Sequence, residues 1–367
     1  MALPRSSALA PAKAFCEAFG LRCPVIMAPM AGSSPVALAA AVANAGGMGS
    51  CGVLAMGPEQ ILQWTSEFRA KSQGQLQLNT WVPDPSPHRD AAKEQRVREF
   101  LARWGPEVPA DAGDATIVDF DAQVAAMIEA RPAVISSIMG LYSAKHVEQM
   151  KAHGIKWFAV ATTVHEALAA EGAGADAIVA QGMEAGGHRG AFKAEDAARD
   201  LVGLFSLLPA IVDAVRVPVI ATGGVADARG AAAAFALGAS AVQMGTGLLR
   251  SPEAAIPRVW ADALGTSRPE DTVASRAFSG RLGRSLKTAY TVASLAPEAP
   301  EPAPYPVQRG LTTPMRVQAA KDQRLESMMA WAGQSAGLAS AKPAAEIVAE
   351  VWAGSQDILG AVPDSKY

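Results

Sequence analysis

Short apolar, β-branched runs recur along this chain, each followed by an Ala-rich stretch of helical character. Candidate strands begin at Val25 (VIMAP), Gly47 (GMGSC), Leu76 (LQLNTW), Ala133 (AVISSI), Lys156 (KWFAVA), Ala177 (AIVAQ), Val217 (VPVIATG) and Ala241 (AVQMGT). This alternation is the pattern of βαβ units that feed a parallel sheet. Successive starts lie 22, 29, 57, 23, 21, 40 and 24 residues apart, so five intervals hold one strand and one helix, and two hold insertions. The insertions fall at about 82–115 and 182–200. Eight units ending near residue 250 predict a (β/α)8 TIM barrel, whose usual size is ~250 residues. A six-stranded doubly wound sheet would leave two units over.

Beyond the eighth unit the pattern changes. Residues 251–330 carry helical stretches interrupted by prolines and no evident strand alternation. They predict a second, smaller, mainly helical cap domain beside a barrel of residues 1–250, with a last helix inside 331–367 returning to the barrel.

Charge and cysteine content narrow the function. With 32 basic and 35 acidic residues the formal net charge is -3, which leaves no electrostatic footprint for nucleic acid or an anionic membrane. No run is long and apolar enough to span a bilayer, and the N-terminal segment lacks the continuous apolar stretch of a secretory signal. Cys16, Cys23 and Cys51 show neither CxxC nor Cys/His spacing, so no disulfide framework and no metal site is expected. The expectation is a cytoplasmic protein, monomer or homodimer, acting on a small molecule.

Gly47-Met48-Gly49-Ser50-Cys51-Gly52 fits GxGxxG, but an Ala-rich helix precedes it where a dinucleotide fingerprint needs a strand. It reads as a helix end entering a small-residue strand. More informative are Gly223-Gly224 and Gly245-Thr246, at the ends of the seventh and eighth barrel strands, where such barrels often hold phosphate on bare backbone N–H groups. The loop after the sixth strand, QGMEAGGHRG from Gln181, sets His188 among glycines at the face where barrel active sites form. His188 is therefore the functional histidine expected, with Glu184 and Arg189 read as loop charges. Ala28, Pro29 and Met30 end the first strand in small or flexible residues suited to backing a flat ring. Asn79 lies inside an apolar strand and is either a ligand contact or a loop pin. Arg276, Arg281 and Arg284 hold an anionic ligand or make local ion pairs.

Together APMAG at 28–32, AQGMEAGGHRG at 180–190, PVIATGGVAD at 218–227, AVQMGTGLL at 241–249 and RAFSGR at 276–281 resemble the nitronate monooxygenases, formerly 2-nitropropane dioxygenases. The resemblance implies an FMN-dependent barrel with a small helical domain over the flavin. It implies that Asn79, Gln181, Gly186, Gly187, Gly223, Gly224, Gln243, Met244, Gly245 and Thr246 contact FMN, and that Ala28, Pro29 and Met30 back its ring. His188 is implied as the catalytic histidine; partly protonated it would attract a nitronate anion, and neutral it would take the α-proton of a nitroalkane. The implied reaction oxidises an alkyl nitronate or nitroalkane with O2 to a carbonyl compound and nitrite. Members with a similar histidine loop carry a Tyr-Pro pair, a second Tyr and a Lys near the substrate. Tyr305-Pro306 is present here, while Arg309 and Thr313 stand at the other two positions, so Tyr305 and Arg309 are the substrate-contact candidates. Similar flavin barrels include NAD(P)H-dependent quinone and enoyl-acyl-carrier-protein reductases, and a non-redox barrel binding a phosphorylated ligand would share the glycine loops.

Overall fold

Eight parallel strands close into a barrel in the computed structural model, which describes residues 8–360. Residues 1–7 and 361–367, the outer ends of the ranges 1–250 and 331–367, lie outside the described residues. In chain order the strands are β1 (Val25–Met27), β2 (Met48–Gly52), β3 (Gln75–Trp81), β4 (Val134–Ile138), β5 (Lys156–Ala161), β6 (Ala177–Gln181), β7 (Gly187–His188), β8 (Val219–Thr222) and β9 (Ala241–Met244). All but β7 form the barrel, and β9 returns to β1 with Val25 opposite Val242 and Met27 opposite Met244. All eight strands expected from the sequence are present, and helix Val36–Asn44 does precede the GxGxxG segment.

Side chains alternate in and out of each strand, since successive Cβ atoms leave opposite faces. In β5, Phe158 and Val160 point into the barrel while Trp157, Ala159 and Ala161 face the helices. Ile26, Val179 and Ile220 complete the interior in the same way, and helix Ala10–Phe19 plugs its lower end by bringing Phe15 and Phe19 to ring-centroid distances of 6.1 and 5.1 Å from Phe158. Outside, alanines let helices sit close on the strands: Ala39, Ala167, Ala231 and Ala234 are all buried between the two layers.

Residues 251–330 supply helices Arg258–Thr266, Ala289–Ser294, Val307–Leu311 and Thr313–Lys321. They also contain β10 (Thr272–Ser275) and β11 (Gly283–Leu286), where no strand was expected. These pair antiparallel, and β7 joins them with His188 opposite Gly283. Four-residue strands are too short to show a period, and their third partner lies some ninety residues upstream. The first insertion folds onto this region, with Val97, Phe100 and Leu101 of helix Ala91–Leu101 packed among Phe278, Tyr290 and Leu311 in a second core. Helix Ala344–Ile358 packs on helices Ala228–Ala236 and Val36–Asn44 of the barrel's outer layer.

Phe158 is fully buried where strand interior and plug helix meet. Phe158→Ala should cost about 3–5 kcal/mol, read as a lower denaturant midpoint; a change under about 1 kcal/mol would mean that the plug does not close this core.

Candidate active site

The inward positions change character along the barrel. Apolar residues fill the lower layers, and Gln77, Ser50, Asn79, Ser136, Gln181 and Gln243 occupy inward positions nearer the strand ends, all buried. Several bond one another: Gln77 Nε2 donates to Ser50 Oγ at 3.3 Å and Gln243 Oε1 at 3.4 Å, and Asn79 Nδ2 to Ser136 Oγ at 2.9 Å, while Gln77 Oε1 has no hydrogen-bond partner among the described residues. Above them opens a cavity of about 460 Å³. Its floor includes Asn79, Gln181, Thr222 and Gln243, one wall is Ala28, Pro29 and Met30, and glycine-rich turns at 186–187, 223–224 and 245 line another side with Thr246. The cap closes it with Ser279, Arg309, Arg316, Met329 and Trp331.

Gly223 and Gly224 are consecutive residues with φ of 100° and 74°, conformations that side chains disfavour. A Cβ on Gly223 would also lie 3.0 Å from Ala185 N. The turn therefore presents bare backbone to the cavity, the arrangement in which N–H groups hold an anion. Thr246 Oγ1 accepts from Gly333 N at 3.0 Å, and Gln334 N donates to Glu184 O at 2.9 Å, so segment 331–335 is laced over the same side.

His188 is held from both sides. Gln181 Nε2 donates to its carbonyl oxygen at 3.1 Å and Gln181 Oε1 accepts from Gly190 N at 2.8 Å, while β11 pairs with it from the cap. Its Nε2 lies 2.7 Å from Ser279 Oγ, and its ring sits between Trp81 and Trp331 at centroid distances of 4.6 and 4.7 Å. The area it leaves exposed faces the cavity. Burial, aided by Arg281, Arg309 and Arg316, pushes its pKa down to about 3. A partly protonated His188 is thus not what this environment favours: the ring is neutral near pH 7, and positive charge at the cavity belongs to arginines.

Most candidate site residues meet at this cavity, with two exceptions. Met244 faces outward into the layer between strands and helices, because it is one residue out of step with Gln243. Tyr305 is buried behind Trp81, 5.1 Å between ring centroids, and lines a small adjoining pocket. The loop charges are more engaged than their sequence context indicates. Arg189 is buried and donates to the carbonyls of Gln181, Thr162 and Asp200, and Glu184 caps helix Leu204–Ala214 through Leu204 N at 2.9 Å. In the arginine cluster, Arg281 pairs with Asp84 at 2.9 Å, and Arg284 Nε donates to Met183 O at 3.0 Å. Trp81, Arg316, Trp331 and Gly333 escaped the sequence reading. Only Trp81, two positions beyond Asn79 on the same strand face, carries a signal that parity could have revealed.

A (β/α)8 barrel with one large cavity at the C-terminal ends of its strands, roofed by inserted and C-terminal segments, has the build of barrel enzymes, whose active sites lie at that face. The family model described as nitronate monooxygenase matches residues 13–354. The chain belongs to the nitronate monooxygenase family, and with it to the oxidoreductases. It is 40% identical over 345 residues to a nitronate monooxygenase of Paraburkholderia phytofirmans, covering 92% of this chain and 94% of that one. It is 35% identical to a probable nitronate monooxygenase of Staphylococcus aureus, covering 89% and 93%. Among solved structures it resembles a nitroalkane oxidase from Streptomyces ansochromogenes, with TM-score 0.86 and 33% identity over 93% of this chain and 98% of that one. It also resembles FabK from Thermotoga maritima, with TM-score 0.73 and 29% identity over 95% and 97%.

The depressed pKa of His188 is testable on the protein itself. Ring-nitrogen NMR of labelled histidine should show His188 uncharged from pH 8 to about pH 5, where a solvent-exposed imidazole titrates near ~6.5. Because the folded value, about 3, lies below the unfolded one, the unfolded chain takes the proton first. This group's contribution to stability is complete above about pH 6.5 and is lost as pH falls toward the folded value. A His188 titration near the ordinary value would show that the cavity is wetter and less positive than described.

Proposed function

We propose that the cavity holds FMN and that the protein oxidises alkyl nitronates, and nitroalkanes after proton removal, with O2 to a carbonyl compound and nitrite. The observation that carries this reading is the meeting, in one cavity, of a neutral buried imidazole with a glycine and amide cradle, in a chain of the nitronate monooxygenase family. The residues fit the cofactor by their chemistry. Gly223, Gly224, Gly245 and Thr246 would receive its phosphate, Asn79, Gln181 and Gln243 the polar edge of its ring, and Ala28, Pro29 and Met30 a ring face. Once bound, the flavin supplies the electron-accepting and oxygen chemistry.

The protein's own part is acid–base and electrostatic. Neutral His188 is the base for the α-proton of a nitroalkane, with Ser279 at Nε2 fixing the ring. Trp81 and Trp331 keep water from it, and Arg309 and Arg316 favour the resulting anion. The likeness to the Streptomyces nitroalkane oxidase supports a substrate that enters as the neutral carbon acid. The likeness to FabK keeps a nicotinamide-dependent reductase as the competing reading.

Purified protein should show flavin absorption bands, directly or after addition of FMN, and anaerobic ethyl nitronate should bleach them while NADH does not. A colourless protein that fails to take up FMN, or rapid bleaching by NADH alone, overturns the assignment.

His188→Asn should retain FMN and lower kcat/KM for nitroethane by about 10²–10⁴-fold, with a much smaller loss on preformed ethyl nitronate. Equal losses on both would remove the general-base role. In the parent protein the base stays unprotonated until pH falls toward about 3, so the nitroethane profile should lack an acid limb near the ordinary histidine value.

A further inference from the structure

Gln77 is fully buried inside the barrel on β3, two positions before Asn79 on the same face, and it is not among the residues that line the cavity. The strand register sets it between Ser50 on β2 and Val134 on β4. Its Nε2 is shared between Ser50 Oγ at 3.3 Å and Gln243 Oε1 at 3.4 Å, and its Oε1 has no partner among the described residues. An enclosed acceptor without a donor costs stability, and a methionine of similar length would fill the position without that cost. A core residue that leaves a polar atom unbonded calls for a reason outside stability.

That reason lies one hydrogen bond away. Gln243 Oε1 is held by Gln77 Nε2, so Gln243 Nε2, unbonded among the described residues and not enclosed, opens toward the cavity that Gln243 lines. Asn79 is fixed in the same manner, with Nδ2 taken by Ser136 O at 3.2 Å and Ser136 Oγ at 2.9 Å, which leaves Oδ1 for the cavity. Gln181 differs, since both ends of its amide are committed to its own loop. The two orientations of a side-chain amide have nearly the same shape, and the groups bonded beneath it distinguish them. Ser136 does this for Asn79 with two acceptors, and Gln77 does it for Gln243 with one donor. We infer that Gln77 is a positioning residue: acting through Gln243, it fixes the polarity of the cavity floor, so that an N–H and not a C=O faces the bound ring. Its own acceptor stays unbonded as a result.

The inference rests on the proposed function for the identity of the ring, FMN, and its test reads binding and stability instead of turnover. The full-length parent, Gln77→Met, Gln243→Met and the double variant are titrated with FMN, following the flavin fluorescence. Gln77→Met should weaken FMN binding about tenfold, and Gln243→Met at least as much. The flavin-free form of Gln77→Met should unfold at the same denaturant midpoint as the parent or a higher one, because the unbonded acceptor is gone. The double variant should bind FMN within about twofold of Gln243→Met alone, since a residue that acts through another adds nothing once that other is removed. Gln77→Asn, which keeps the amide but withdraws it by one carbon, should weaken binding as Gln77→Met does, and it carries the comparison should Gln77→Met fail to fold. A midpoint that drops in step with FMN affinity would make Gln77 a structural pin and overturn the inference, as would losses in the single variants that add in the double. A parent that takes up no FMN refutes the proposed cofactor together with this role, whereas parent and Gln77→Met binding FMN equally refutes the positioning role alone.

Discussion

The strict in–out alternation of eight parallel strands, closed so that no edge remains, is the constraint on which the molecule depends. Closure leaves each strand a few inward positions, stacked in layers along the barrel axis. In the lower layers Ile26, Phe158, Val179 and Ile220 fill the interior, and the plug helix seals it from below. In the upper layers the same inward face of the barrel carries Asn79, Gln181 and Gln243. A polar side chain can stay buried there because neighbouring strands present partners at matching heights, as Ser136 does for Asn79. One periodicity thus makes both the hydrophobic core and the polar floor of the site.

The second dependence is the attachment of His188. A loop between a barrel strand and its helix would leave an imidazole loosely placed. Here the loop is drawn into β7, which belongs to the cap sheet by its pairing with β11 and is clamped to the barrel by Gln181. Arg189 fastens the next residue to three carbonyls, and Glu166 accepts from Phe192 N at 2.6 Å beyond it. Barrel and cap therefore both fix the ring, and displacing either moves it. Loops can carry chemistry when a rigid frame restrains them this closely.

What the sequence discloses follows from which contacts are local. The strands, their order and the two insertions are legible because each βα unit carries its own pattern of apolar run and small-residue helix. The glycine turns and His188 are legible because their place at strand ends is fixed by that pattern. Met244 shows the limit, since it sits beside Gln243 in a motif and only parity turns it away from the cavity. The hairpin β10–β11 is hidden because its stabilising partner is two residues of a distant loop. Arg316, Trp331 and Gly333 reach the site through cap segments whose docking no local pattern encodes. Arg281 could be read as a cation, but its pairing with Asp84 joins the first insertion to the cap and needs the folded chain to be seen.

The charge layout ties these parts into one chemical argument. An imidazole that must accept a proton is best kept neutral, and one that must bind an anion is best kept charged; a single histidine cannot do both at one pH. The cavity divides the work. Trp81, Trp331 and Ser279 enclose the ring, the cationic wall raises the cost of protonating it, and the same wall supplies the positive potential that an anion needs. The Arg281–Asp84 pair is internally balanced, so among the described residues lining the cavity the positive charge comes from Arg309 and Arg316, on helices Val307–Leu311 and Thr313–Lys321. Under the proposed function, the ligand charge accepted can therefore change through substitutions on those two helices, which lie apart from the barrel strands, the glycine turns and His188. In this fold the cap is where specificity can diverge while the chemistry below it is retained.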